Sequence, residues 1–167
     1  FFASGQNCVG VKRIFVEAGM YDSFLNSFSQ LTATLKMGSP LLEDIDIGPI
    51  ISAESMHQID AFIAESIAHG AKLIRGGKTI GNCYVPTILA ADCNNDIANC
   101  KEVFGPVVTI SKVKNLAQAI ANCNKSPFGL HTAIFTNDMN KAHTAINELE
   151  CAGVMINDST DYRIDAM

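Results

Sequence analysis

The chain has 167 residues, 48% of them hydrophobic, with 17 acidic and 12 basic side chains and a formal charge of -5 at pH 7. That length suits one ordinary domain with a core of its own. The acidic balance and the scattered Lys and Arg argue against a nucleic-acid partner, which usually meets a basic patch, and no apolar run approaches the roughly 20 residues that cross a bilayer.

Phe1 and Phe2 open the chain without a basic n-region or a cleavable signal pattern. The start reads as the inside of an apolar segment, so a piece of a longer polypeptide is expected. Val11 to Glu17, β-branched and aromatic, predicts a strand. Tyr21, Phe24, Leu25, Phe28, Leu31 and Leu35 then recur at helical spacing, and Gly38 with Pro40 behind it is expected to end that helix. Glu43, Asp44 and Asp46 lie in the following loop and read as a solvated acidic face rather than a metal site.

Ser52 is expected to cap a second helix that buries Met56, Ile59, Ile63 and Ile67. Lys72 to Arg75 predicts a short strand, Gly76-Gly77 a turn, and Cys83 to Leu89 an extended segment that Pro86 marks as an edge. Asp92 to Asn99 reads as a loop or one helical turn. Val107 to Val113 predicts a strand and Asn115 to Cys123 a helix. His131 to Thr136 predicts a further strand, then a helix capped by Asn137 or Asp138 that buries Ala142, Ala145, Ile146 and Leu149, then a strand from Val154 to Asn157. Strands alternating with helices predict an α/β, three-layer sandwich around a largely parallel sheet, without repeats or linkers.

The six cysteines, at 8, 83, 93, 100, 123 and 151, show neither C-x-x-C nor zinc spacing. Five are expected to be reduced structural thiols of a cytoplasmic protein. His57, His69 and His143 fall in helices, spaced unlike a metal triad. Cys8 is different. It sits in a short polar loop between Gly5 and Gly10, where the backbone can bend sharply and free N–H groups could hold an oxyanion. Gln6 and Asn7 are placed to offer amide donors near the sulfur.

Gly5-Gln6-Asn7-Cys8 resembles the Gly-Gln-x-Cys signature of the aldehyde dehydrogenase superfamily, and Lys101-Glu102-Val103-Phe104-Gly105-Pro106-Val107 resembles its Glu-x-Phe-Gly-Pro-Val segment. Leu35-Lys36-Met37-Gly38, Gly48-Pro49-Ile50-Ile51, Gly70-Ala71-Lys72, Gly76-Gly77, Pro86-Thr87, Asn124 to Leu130 and Val154 to Asp158 follow in family order and spacing, so the resemblance covers essentially the whole chain. It implies a catalytic domain, residues 1–167, whose cofactor-binding domain and C-terminal tail lie outside the chain. In that family a thiolate adds to an aldehyde, hydride leaves to NAD or NADP, and water cleaves the resulting thioester.

The resemblance assigns Cys8 as the nucleophile, with its own N–H as one arm of the oxyanion hole. It assigns Glu102 to the nicotinamide ribose, whose two hydroxyls a carboxylate can accept, and Phe104 to the nicotinamide ring. A surface carboxylate paired with Lys101 is the plainer reading of Glu102. The family usually carries an acidic residue at position 101, which leaves that position's role open. Gly105-Pro106 would fix the turn that presents Glu102 and Phe104, and Asn157 would brace the Cys8 loop or simply end its strand.

Asp158 to Asp165 lies where the family builds the substrate entrance. It is similar there to the lactaldehyde and non-phosphorylating glyceraldehyde-3-phosphate branches, which favours a polar small-molecule aldehyde. Tyr162 and Arg163 are the candidate substrate contacts, although a solvated loop reads equally well.

The family's glutamate base, its oxyanion-hole asparagine and its dinucleotide fold all lie upstream. This chain alone is therefore expected to oxidise no aldehyde, and its full-length protein to work as a homo-oligomer. Two alternatives stay open: a non-catalytic structural or interaction remnant, and a semialdehyde dehydrogenase that passes its acyl group to coenzyme A.

Overall fold

Apolar residues at three- and four-residue spacing form the helices, and β-branched runs between turn residues form the strands. The computed structural model describes residues 1–161. After a short turn at Phe2–Gly5 come β1 (Arg13–Glu17), α1 (Tyr21–Ala33), α2 (Ala53–Ala68), β2 (Lys72–Arg75), β3 (Thr79–Ile80), β4 (Cys83–Tyr84) and β5 (Thr87–Ala90). They are followed by α3 (Asp96–Cys100), β6 (Val107–Val113), α4 (Leu116–Cys123), β7 (His131–Ile134), α5 (Met139–Glu148) and β8 (Gly153–Ile156).

The main sheet has the order β1-β6-β5-β2. Its central strand β6 runs parallel to β1 and β5, and β2 closes one edge antiparallel, with a bulge at Leu73/Arg75. Neighbouring residues of each strand point to opposite faces, and both faces are covered. Leu89 and Val107 pack with Ile59, Phe62 and Ile63 of α2 and Ala98 of α3. Ile88, Val108 and Ile110 pack on the other side with Tyr21, Phe24, Leu25 and Phe28 of α1. Helices on both faces of a sheet with a parallel centre are the three-layer α/β arrangement expected. The parallel pairing is nonetheless divided, because β7 and β8 form their own two-stranded parallel sheet.

Three of the longer helices start at side-chain caps, whereas α1 has none. Ser52 Oγ accepts from Ser55 N at 3.1 Å, Asn115 Oδ1 from Gln118 N at 3.0 Å and Asp138 Oδ1 from Asn140 N at 2.8 Å. Other expectations are corrected. α1 stops at Ala33, well before Gly38. The backbone from Lys36 to Gly38 instead joins the acidic loop, where Asp46 Oδ2 accepts from Lys36 N at 2.8 Å and Gly38 N donates to Ile47 O at 3.1 Å. Glu43, Asp44 and Asp46 are exposed, as expected of a solvated face, and Asp46 also braces the loop. Ile67 and Ile146 are exposed, and Phe62 and Ser66 complete the buried face of α2.

Pro86 does not mark an edge, because β5 lies between β6 and β2. The ladder begins one residue later, where Thr87 N donates to Pro106 O at 2.7 Å, so the missing proline N–H costs no bond.

Candidate functional site

Ala3, Ser4 and Gly5 are three successive left-handed residues, with φ of 50°, 58° and 70°. The turn is costly for Ala3 and Ser4, about 1–2 kcal/mol for each side chain with a Cβ, so the surroundings must hold it. Ser4 is buried and donates from Oγ to Gly48 O at 3.0 Å. Gln6 clamps the same segment from both ends of its amide: Nε2 donates to Pro49 O at 3.3 Å and Oε1 accepts from Ile51 N at 2.8 Å. Gln6 is therefore a loop fastener, not a donor beside the sulfur. Asn7 is also turned inward on the loop, accepting from Val9 N at 3.0 Å through Oδ1 and from Gly10 N at 3.3 Å through its carbonyl. Cys8, at the crest, is exposed. Among the described residues no acceptor takes up its backbone N–H.

Two glycines join this loop to the distant Glu102–Phe104 segment. A Cβ on Gly5 would lie 2.0 Å from the carbonyl oxygen of Gly105, and a Cβ on Gly105 would lie 2.4 Å from Ile59 Cδ1. Neither position admits a side chain, so backbone meets backbone directly, with α2 behind. The sequence-assigned Cys8, Glu102 and Phe104 are brought to one place by this contact. Lys12 marks it. Its ammonium lies 5.2 Å from the centroid of the Phe104 ring and donates to the carbonyl of Gly5. Burial lowers its pKa, while Glu102 and then Cys8 pull it back up and Arg13 lowers it further.

Phe104 is half-exposed rather than a core side chain. The Glu102 carboxylate is exposed too and takes no hydrogen bond from the described residues. Lys101 does not pair with it; its Nζ lies 2.8 Å from Glu65 Oε1. An exposed carboxylate and a half-exposed aromatic ring two residues on fit the ribose and ring of a nicotinamide cofactor.

Asn157 does not reach the Cys8 loop. It holds φ 56° at the end of β8, accepts from Thr136 N at 2.8 Å and donates to Thr136 O at 2.9 Å. The brace on the loop comes from Thr160, whose Oγ1 donates to Val9 O at 2.6 Å while its carbonyl sits 2.9 Å from His131 Nδ1. Tyr162 and Arg163 lie outside the described residues. Sequence reasoning missed Lys12 and Thr160. A lysine four residues after the nucleophile, where an apolar strand should begin, was a signal for the first; nothing local marked the second.

All six cysteines are free. Burial raises the thiol pKa of Cys93, Cys100 and Cys123. Among the described residues no group of His, Cys, Asp or Glu is arranged to hold a metal ion, and no helix is long and apolar enough to cross a membrane.

The chain thus presents an exposed thiol on a loop whose Gly5 backbone lies on that of Gly105, next in the chain to Phe104. A model of the aldehyde dehydrogenase family matches residues 1–167, and the chain belongs to that family. It is 41% identical over 167 residues to a lactaldehyde dehydrogenase of Methanococcus aeolicus, covering 100% of this chain and 36% of the relative. It is 38% identical over 167 residues to aspartate-semialdehyde dehydrogenase 1 of Pseudomonas canavaninivorans, again covering 100% and 36%. The crystal structure of the glyceraldehyde-3-phosphate dehydrogenase GapN from Methanocaldococcus jannaschii, complexed with NADP, superposes with a TM-score of 0.94 at 39% identity, covering 100% of this chain and 36% of that one. The chain thus spans about a third of the length of the relatives it matches.

Proposed function

We propose that residues 1–167 are the thiol-bearing catalytic domain of an NAD- or NADP-dependent aldehyde dehydrogenase that oxidises a small polar aldehyde to a carboxylate. The observation that carries this reading is the seating of Gly5 on Gly105, which sets the Cys8 loop against Glu102 and Phe104.

The Cys8 thiolate adds to the aldehyde carbon and forms a thiohemiacetal. The free N–H of Cys8 faces the developing oxyanion, where a preorganised donor is most effective. Glu102 would accept the ribose hydroxyls and Phe104 would pack on the nicotinamide ring, holding the cofactor at the site and excluding water. When bound, the cofactor would supply a hydride acceptor, and loss of hydride from the thiohemiacetal on Cys8 would leave a thioester. Water then cleaves the thioester, releasing carboxylate and thiol. The general base for that step belongs, on this reading, to the two thirds of the protein beyond this chain.

Relatives named for lactaldehyde and aspartate semialdehyde support a polar substrate, and Tyr162 with Arg163 are the residues proposed to meet it. A cytoplasmic homo-oligomer is part of the same proposal. The test uses the full-length protein and a panel of polar aldehydes with NAD and NADP, reading reduced-cofactor formation. Cys8→Ala is expected to abolish turnover, and Glu102→Gln to raise the KM for cofactor more than that for aldehyde. Aldehyde oxidation that survives Cys8→Ala overturns the assignment. Turnover only in the presence of coenzyme A redirects it to acyl transfer.

A further inference from the structure

Lys12 stands where a strand of apolar character should begin, yet its ammonium is turned into the site rather than out to solvent. Two contacts hold it there. It donates to the carbonyl of Gly5, the left-handed residue that anchors the nucleophile loop. It lies over the ring of Phe104 at 5.2 Å from the centroid. Glu102 and Cys8 also lie within its electrostatic reach, and Arg13 is a neighbouring cation. A lysine needed only for solubility would keep its head in water and gain nothing from these partners. The structure instead fixes a partly buried cation on the Gly5 carbonyl and the Phe104 ring.

We propose that Lys12 is a positioning residue of this centre: its ammonium ties the Cys8 loop to the Glu102–Phe104 segment and presents one positive charge to both Cys8 and Glu102. The inference rests on the function proposed above. Its chemistry is simple. A thiol reacts as its anion, so a positive charge within reach of Cys8 is read in its rate of alkylation. The carboxylate must be oriented to accept two ribose hydroxyls, and a nearby fixed cation biases that orientation. The Gly5 carbonyl and the Phe104 face keep the ammonium from swinging away when the ribose arrives. Lys12 therefore touches neither aldehyde nor hydride, and acts through Cys8 and Glu102.

The test compares Lys12→Met, which keeps the stem and removes the charge, with Lys12→Arg, which keeps the charge, in the full-length protein. The first readout needs no cofactor: the rate at which iodoacetamide alkylates Cys8 at pH 7, followed by peptide mapping. Lys12→Met is expected to slow it about fivefold, and Lys12→Arg to stay within about twofold of the parent. The second readout is the KM for cofactor, expected to rise about tenfold in Lys12→Met with the KM for aldehyde unchanged.

Parental alkylation in Lys12→Met, or a Lys12→Arg rate no better than Lys12→Met, overturns the proposal. Where circular dichroism shows Lys12→Met unfolded, Lys12→Gln takes its place. The two readings fail separately: aldehyde turnover in Cys8→Ala defeats the dehydrogenase assignment, whereas the Lys12 comparison measures thiol reactivity alone.

Discussion

Replacing Gly5 by alanine tests the contact on which the site depends. Gly5 holds φ +70°, and an added Cβ would lie 2.0 Å from Gly105 O, 2.4 Å from Gly105 C and 2.9 Å from Pro106 N. The left-handed backbone alone costs an alanine about 1–2 kcal/mol. The overlap adds about 1–3 kcal/mol, the usual range for overpacking, and falls at the upper end because the obstacle is backbone and cannot turn aside. The expected loss is therefore about 2–5 kcal/mol, a large part of a domain's 5–15 kcal/mol.

Two other glycines separate the contributions. Gly70 holds φ +95° with nothing within 4 Å of a Cβ, so Gly70→Ala should show the backbone cost alone. Gly19 has open space and no left-handed φ, so Gly19→Ala should be neutral or slightly stabilising through the unfolded chain. Urea unfolding followed by circular dichroism ranks the three. Because relief of the clash must push the Cys8 loop off Gly105, Gly5→Ala should also lose aldehyde oxidation in protein that remains folded. A Gly5→Ala protein no less stable than Gly70→Ala, with activity intact, would refute the idea that this backbone contact builds the site.

Tyr84 is fully buried and donates to Asp60 Oδ1 at 2.5 Å. Burial first, and then that bond, raise its pKa well above the ordinary 10.0. The folded protein thus keeps this proton where the unfolded chain loses it, so stability falls as pH rises above 10. Tyr84→Phe should remove that part of the alkaline decline and cost about 1–3 kcal/mol at neutral pH through the unpaired carboxylate; a parallel decline in both proteins above pH 10 would contradict the sign. Asn157→Ala should cost about 2 kcal/mol, from two lost bonds to Thr136 and a left-handed backbone. Iodoacetamide alkylation of Cys8 should be unchanged by it, because Thr160 and not Asn157 bonds the loop; a slowed alkylation would restore the role expected from sequence.

Much of the molecule was legible before any coordinates. The run Val107 to Val113 reads as a strand from its β-branched residues, and it is the central strand β6. Ser52 announced its helix because capping is chemistry between near neighbours, and of Asn137 and Asp138, both open as caps for the last helix, the structure uses Asp138. The two motifs holding Cys8 and Glu102 could be read, and the family with them. Local patterns could not say which faces stay open, and so Ile67 and Ile146 were misjudged. Periodicity gives the width of an apolar stripe, not what covers it.

Other features depend on contacts between distant segments. Pro86 reads as an edge until the ladder is seen to start at Thr87. Gln6 and Asn157 carry amides that suit several partners, and which they bond depends on segments far along the chain. Lys12 has the plainest sequence signal of all, a charge, yet its meaning came from the backbone of Gly5 meeting Gly105 and bringing Phe104 beneath it. The elements and the chemical groups are legible along the chain, because those follow from near neighbours. Their meeting was decided by long-range packing, where two glycines leave room for one backbone to lie on another.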